Sequence, residues 1–289
     1  MNKSLHNYRM GPLYQMIGIT KQGHYKRLQR RDTLDRVQNK ILDLALGIRK
    51  DHKRMGCRKL YDEIGHLGMG RDRVEQLLLE NGFRVAQKRS FHRTTYAGRR
   101  RYANLISGEL VKGSDQVYVS DITYIPVSGN RFYYLTLVLD VYTRMIKGWS
   151  LSNALTTEQT VYPAFKMAIA GLTEEQLKLL VFHSDRGSQY GSDLMKRAFE
   201  KSKVNPSMGG KAWENAHAES LNGILKNEYI NCSQSNLTLN QVEKLMKKWI
   251  YLYNHKRPHG SLKNRKPSEY ETYLQGLALK DKPGIRINY

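Results

Sequence analysis

Three acidic residues stand where a carboxylate has more to offer chemistry than structure. Asp121 interrupts the apolar run VSDITYI, where nothing in the pattern asks for a charge. Asp185 closes the apolar stretch LLVFHSD, and ligands of open α/β sheets gather at the carboxyl ends of strands. Glu219 lies in WENAHAESLNGILK, a segment with helical spacing. Carboxylates are hard oxygen donors that suit Mg2+ or Mn2+. Two such ions about 4 Å apart activate a nucleophile and stabilise the leaving oxygen in phosphodiester chemistry.

The helix around Glu219 adds a second signal. Asn215, Glu219, Asn222 and Lys226 fall at i, i+4, i+7 and i+11 and therefore share one face. A carboxylate, two amides and an ammonium side by side fit a phosphate backbone held over a metal site. A solvated polar face is the bland alternative. Ala216, Ala218, Leu221 and Leu225 lie elsewhere on the helix and are free to pack. Among the other acids, Asp140 at the end of LVLD reads as a turn or hydrogen-bonding residue, Glu214 as a helix-start residue and Glu228 as structural. His255 and His259 have HxxxH spacing, but Pro258 breaks any helix between them and argues against zinc. Lys256 and Arg257, set between these histidines, read as DNA or partner contacts. Trp249, Tyr251 and Tyr253 read as core or interface.

The elements that must position these groups begin at about residue 115, with residues rich in Val, Ile, Tyr and Thr. Three strands in hairpin order are predicted at 116–126, 131–140 and 144–151, the first two joined by a turn at Ser128-Gly129-Asn130. A helix from Thr157 to about Gly171 follows, capped by Thr156 or Thr157, then a strand in LKLLVFHSD. Helices are predicted from about Ser192 to Lys201 and from Trp213 to Asn227. This order suits a mixed sheet with helices on its faces.

Upstream the chain reads as helical and basic. Gly18 marks a turn and Thr20 an N-cap, and DTLDRVQNKILDLALGIRKDH gives a longer helix with Leu34, Val37, Ile41, Leu44 and Ile48 on one side. RKLYDEIGHLGMGRDRVEQLLLENGFRV then gives helix, Gly-rich turn, helix. The second of these buries Val74, Leu77 and Leu78 and presents Arg71 and Arg73 at its start, as a recognition helix does in the major groove. An ordinary helical hairpin is the alternative. Basic residues continue through Lys88, Arg89, Arg93 and Arg99–Arg101, so Arg71, Arg73, Arg89 and Arg93 are candidate DNA contacts. The expected segments are a basic helical region at 1–50, a helix–turn–helix at 51–100, a basic linker at 101–114, the catalytic core at 115–232 and a helical extension at 233–289.

Charge agrees. Of the net +22 over 289 residues, residues 1–101 hold +15, from 24 basic and 9 acidic side chains. A surplus concentrated in this way favours a polyanion, nucleic acid being the usual one, although an anionic membrane surface would attract it too. The two cysteines, Cys57 and Cys232, are too far apart for a CxxC site and too few for a disulfide framework. No apolar run of about 18 residues and no signal-like N-terminus occurs, so a cytoplasmic protein is expected.

DITYI, HSDRGSQY, the ENAHAES helix, LKNE, and YNHKRPHGSL followed by KPSEY resemble the OrfB-type transposases of the bacterial insertion-sequence-three family. RMGCRKLYDEI with MGRDRVEQLLLENGFR is similar to the helix–turn–helix segment that precedes that family's catalytic core. The resemblance spans roughly residues 53–271. It implies an α/β fold: an RNase-H-like mixed five-stranded sheet flanked by helices, of the retroviral-integrase kind, behind an all-helical helix–turn–helix DNA-binding region. It implies a DDE triad of Asp121, Asp185 and Glu219 as ligands of Mg2+ or Mn2+. Gln189, Tyr190, Asn215 and Lys226 would border the active site or the donor DNA, and His183 and Ser184 would shape the loop before Asp185.

The same resemblance implies metal-dependent cleavage and strand transfer at the terminal inverted repeats of an insertion sequence, with target DNA as second substrate. It further implies a homo-oligomer on paired ends and an upstream-frame OrfA-type partner, in a bacterial, nucleoid-associated setting. Two departures stand out. The family's helix opens Asp-Asn-Ala where this one opens Glu214-Asn215-Ala216, and 33 residues separate Asp185 from Glu219, slightly fewer than in the family pattern. The shortfall lies in the Gly209-Gly210 loop. A transposase-derived DNA-binding protein without catalysis and an RNase-H-like nuclease are the rival readings.

Overall fold

The computed structural model describes residues 10–85, 101–127, 131–230 and 237–288. The turn expected at 128–130, Arg89, Arg93 and Cys232 lie outside them. The described chain divides into two compact units. One holds the residues up to Lys50 together with Met55–Val85; the other holds Asp51–Arg54 and the chain beyond Val85.

The first unit is all helical: α1 (Met10–Met16), α2 (Lys21–Asp51), α3 (Cys57–Ile64) and α4 (Arg71–Glu80). Thr20 caps α2 as expected, its Oγ1 accepting from Gly23 N–H at 3.0 Å. The two helices expected on either side of Arg31-Asp32 are one continuous helix of 31 residues, because no Gly or Pro interrupts the pattern there. Ile41 and Ala45 of α2 share a core with Cys57 and Leu60 of α3, Val74 and Leu78 of α4, and Phe83. The boundary expected at 50/51 is therefore not a boundary between cores. Gly65 and Gly68, with φ of 76° and 81°, let the chain turn between α3 and α4.

The second unit is built on a five-stranded sheet in the order β4-β3-β2-β5-β6, from β2 (Val117–Val127), β3 (Arg131–Asp140), β4 (Ile146–Ser152), β5 (Val181–Ser184) and β6 (Asn205–Met208). β2, β3 and β4 pair antiparallel, and β5 and β6 add on parallel to β2. β2 lies mid-sheet, and its first four residues are buried on both faces. On one face Tyr118, Val138 and Phe182 pack with Val161, Ala164 and Phe165 of α5 (Val161–Ile169) and Met195 and Phe199 of α7 (Asp193–Ser202). At Gly148 a Cβ would stand 2.2 Å from Ala164 O, so only glycine lets α5 lie directly on β4. On the other face Val119, Leu137 and Leu139 pack with Ala218, Leu221 and Leu225 of α8 (Ala216–Glu228) and with Met246 and Tyr253 of α9 (Leu239–His255). This is the mixed α/β sheet that the RNase-H-like expectation describes.

Some boundaries differ from the expected ones. Leu177–Leu179 belong to α6 (Glu174–Leu179), started by a capping box between Thr173 and Gln176 and ended by Leu180, so the strand that carries the active-site loop is only four residues long. α5 begins at Val161, after a turn in which Thr160 Oγ1 donates to Thr156 O. Trp213 and its neighbours form a 3-10 turn (Ala212–Asn215) ahead of α8. The C-terminal residues do not form a separate extension. α9 and α10 (Pro267–Gln275) share the core of the sheet, and β7 (Ile285–Arg286) pairs antiparallel with β1 (Leu110–Val111).

Candidate active site

The parallel register of β2 and β5 brings the two aspartates together. Ser120 is opposite Ser184 in the last pair of that ladder, and Asp121 and Asp185 each come one residue later. Asp121 Oδ1 accepts from Ile122 N–H at 2.9 Å, and its Oδ2 accepts from Asn222 Nδ2 on α8 at 2.8 Å. Burial, then the charge of Asp185, pushes the Asp121 carboxyl up to about 7 against the pull of those two donors, and Glu219 adds to the rise. Asp185 Oδ1 accepts from Gly187 N–H at 2.9 Å, and burial raises its carboxyl as well. Glu219, in the first turn of α8, is raised by desolvation and then by Asp185. The structure thus brings Asp121, Asp185 and Glu219 close enough for their charges to oppose one another.

α8 is fixed on both sides of Glu219. Asn215 Nδ2 donates to Ser120 O at 3.0 Å, and Asn222 holds Asp121. Ala218, Leu221 and Leu225 are buried as expected, while Ala216 is exposed. Lys226 is half-buried, its ammonium disfavoured by burial and favoured by Asp121, so it stands on the same side as the aspartate.

The donor chemistry suits a divalent cation. All three carboxylates are hard oxygen donors with raised affinity for protons, the state that a bound cation relieves. Asn215 Oδ1 and Asn222 Oδ1 are buried without a hydrogen-bond partner among the described residues, which adds two neutral oxygens beside the same strand. Among those residues no three His, Cys, Asp or Glu side chains close on a common point tightly enough to hold one ion. The three carboxylates are thus near enough to act on one another's charge without forming a closed cage.

Other expected contacts fall differently. Gln189 is partly exposed and donates to Leu155 O at 3.4 Å, and Lys256 is exposed at the end of α9. Arg71 and Arg73 are exposed at the start of α4, Arg71 held by Asp72 at 2.9 Å. Tyr190 is buried, its hydroxyl 2.9 Å from Ser120 Oγ, and Asp121 and Asp185 lie near enough for their charges to act on it, so it borders the carboxylates from within the fold. Arg257 is held inside the fold. It is 5% exposed and forms a two-pronged ion pair with Glu228 at 2.6 and 2.7 Å, so its guanidinium is committed to α8. Asp140 accepts from Thr143 Oγ1 at 2.7 Å and from Tyr142 N–H at 3.1 Å, which makes it the anchor of the β3–β4 turn. Trp213 is 57% exposed in the turn before α8, with Lys211 over its ring at 4.8 Å. Sequence reading gave it no role, although a Trp between a glycine pair and an acidic helix start is an unusual place for core.

Comparison with known proteins bears on this geometry. An Integrase core domain model matches residues 112–212, and a second model of the same description matches residues 201–267. A putative transposase for insertion sequence element IS986/IS6110 from Mycobacterium tuberculosis is 30% identical over 226 residues, 75% of this chain and 81% of the relative. The insertion element IS600 31 kDa protein of Shigella sonnei is 30% identical over 275 residues, 91% of this chain and 99% of the relative. Among solved structures, the HTLV-2 integrase catalytic core domain in complex with magnesium has a TM-score of 0.41 at 18% identity, covering 58% of this chain and 99% of that one. Transposase InsF for insertion sequence IS3A of Escherichia coli is 27% identical over 227 residues, 75% of this chain and 77% of the relative. On the strength of these relatives and of the integrase-core match, the chain belongs to the insertion-sequence-three family of transposases.

Proposed function

We propose that the protein cuts and joins DNA strands at the terminal inverted repeats of an insertion sequence, with Asp121, Asp185 and Glu219 as ligands of Mg2+ or Mn2+. The observation that carries this reading is the set of three carboxylates, from β2, the end of β5 and α8, each raised by burial, with the charge of Asp185 raising Asp121 and Glu219 further. A bound divalent cation would supply Lewis acidity at the scissile phosphate and offset charge building on its oxygens. Asn222 keeps Asp121 turned toward α8, and Lys226 offers a cation to a phosphate oxygen beside the triad.

In the first reaction a water oxygen attacks phosphorus, the P–O3′ bond breaks, and the 3′ oxygen leaves as a hydroxyl. That hydroxyl then attacks a second phosphodiester, so one bond forms for each one broken and no outside energy is needed. The residues around the site position the strands, and effective molarity does the rest. Gln189, Asn215, Asn222, Lys226 and Lys256 are proposed to flank the bound strands, with Arg71 and Arg73 of α4, Arg89 and Arg93 taking the double-stranded end.

Catalysis is proposed to occur in a homo-oligomer on paired ends, with an OrfA-type product of an upstream frame as helper, at the bacterial nucleoid. Among the described residues no helix is long and apolar enough to cross a membrane. The test is a cleavage and joining assay on labelled element ends with Mg2+ or Mn2+, wild type against Asp185→Asn. Nicked and joined products that vanish in the variant are expected. Tight end binding without chemistry, even with the upstream product added, would overturn the enzymatic reading in favour of a binding protein.

A further inference from the structure

Glu214 reads in the sequence as a helix-start residue, but its carboxylate reaches well beyond α8. Residues 101–107 run along the edge of β6, where Met208 N–H donates to Ala103 O at 3.2 Å and Leu105 N–H to Ser207 Oγ at 2.9 Å. From this segment Asn104 Nδ2 donates to Glu214 Oε2 at 2.9 Å. The Asn104 Oδ1 accepts from Ile106 and Ser107 N–H at 3.1 and 3.3 Å, so the amide cannot flip without losing both. The same Glu214 oxygen accepts from Gly210 N–H at 2.5 Å, which closes the turn just ahead of α8.

The main chain of Glu214 is held from the opposite side. His183 Nε2 lies 2.9 Å from Glu214 O, and its Nδ1 lies 2.8 Å from Ser207 Oγ. A carbonyl only accepts, so a neutral ring carries its proton on Nε2 and receives the Ser207 hydroxyl proton on Nδ1. The Ser207 oxygen accepts in turn from Leu105. These bonds form a closed circuit from residues 104–105 to β6, to β5, to the turn before α8, and back through Asn104. Two of its members are neighbours of the triad: His183 stands two residues before Asp185, and Glu214 five before Glu219.

We propose that Asn104 is a positioning residue for the catalytic helix: by gripping Glu214 it fixes where α8 begins and thereby where Glu219 stands relative to Asp185. The proposal rests on the metal-site reading above. An amide is suited to this place, because it donates to a carboxylate with one atom and accepts from two N–H groups with the other. An aspartate there would set one carboxylate against another.

The experiment compares wild type, Asn104→Asp, Asn104→Ala and the double variant Asn104→Asp/Glu214→Gln. In the double variant the introduced amide donates to the introduced carboxylate through its nitrogen and turns its oxygen to Gly210 N–H, so the two contacts that one Glu214 oxygen makes are divided between two atoms and the contact to residue 104 is restored with its polarity reversed. Asn104→Asp is expected to lower kcat for end cleavage about 10- to 100-fold, the range for residues that orient metal ligands, with KM for the end DNA unchanged. The Mn2+ concentration that gives half of the cation-induced rise in Tm is expected to increase by about the same factor. The double variant should recover most of both. Wild-type kcat and Mn2+ response in both single variants would overturn the proposal. So would a loss that the double variant does not recover, or one that falls equally on end binding. If Asn104→Asp does not fold, Asn104→Ala and the double variant make the same comparison. A wild-type protein with no Mn2+ response would overturn the metal-site reading and this proposal together, whereas a responsive wild type with equally responsive variants would overturn this proposal alone.

Discussion

Asp121 and Asp140 lie on adjacent strands of one sheet, and burial pushes both carboxyls up, to about 7 and about 6. Their surroundings then diverge. Asp140, fully buried, accepts a hydroxyl and two backbone N–H bonds from its own turn, and Lys147 lies near enough to favour its charge. Asp121 has Asn222 and Ile122 N–H, and beyond them two more carboxylates that disfavour its charge. The same sheet therefore finishes one aspartate as a turn and leaves the other unmatched. An unmatched charge just beyond the last pair of the β2–β5 ladder is where a ligand or a cation belongs.

The largest way to test that contrast is Asp185→Asn. Strand cleavage and transfer are expected to fall by about 1,000-fold or more, equivalent to about 4 kcal/mol of transition-state stabilisation. Stability should move the other way, with Tm rising a few degrees as one member of a repelling cluster is neutralised. Calorimetry on the purified variant checks this. A variant both inactive and clearly less stable would mean that the cluster was as well compensated as Asp140.

Asp140 supplies the second test, through pH. Its folded value, about 6, lies above the ordinary carboxylate value of 3.8. A raised acid contributes stability that is full below the unfolded pKa and is lost as pH rises through the folded one. Relative to Asp140→Asn, the wild type should gain up to about 3 kcal/mol as pH falls from 7 to 4, read by urea unfolding at each pH. A flat difference across that window would mean that the turn holds the ionised carboxylate at no cost. End cleavage per folded molecule should be unchanged in this variant.

The neighbouring lysines extend the comparison with a smaller effect. Lys147 is clamped by Glu271 at 2.6 Å and Asp115 at 3.2 Å, whereas the ammonium of Lys226 is disfavoured by burial with only Asp121 raising it. Lys226→Ala should weaken binding of element ends about tenfold and lower the salt dependence of binding by about one unit of slope, without loss of Tm. Lys147→Ala should do the reverse, costing stability and sparing DNA affinity. Gel-shift titrations over a range of salt, beside melting curves, separate the two.

How much the sequence could show depends on the range of the interactions. Asp121 was legible because a charge inside an apolar strand breaks a local pattern, and the face of Glu219 because helical spacing is local as well. β6 was not legible: NPSM is short, contains Pro206 and lacks alternation, and it is a strand only because β5 pairs with it. α6 was read as strand because LKLL is apolar, although the Thr173 capping box starts a helix there. Arg257 looked like a surface cation because its basic neighbours are local, whereas the Glu228 that buries it lies 29 residues away on another helix. Asn104 gave no signal at all, because its partner is 110 residues along the chain.

The smallest expected effect distinguishes the aspartates most directly. A cation that binds the folded state at ten times its Kd adds about 1.4 kcal/mol, enough to raise Tm by roughly 2–4 °C in a chain of this size. Adding Mg2+ or Mn2+ should produce that rise in the wild type and in Asp140→Asn, because neither loses a member of the Asp121 cluster. Asp185→Asn should start from a higher Tm and gain little, since the repulsion that a cation relieves has already been reduced. The two variants thus differ in kind: Asp140→Asn keeps the wild-type response to the cation, whereas Asp185→Asn is shifted by its substitution and not by the cation. Equal shifts in both would place the ion elsewhere on the chain, and the difference between the two aspartates would then be one of burial alone.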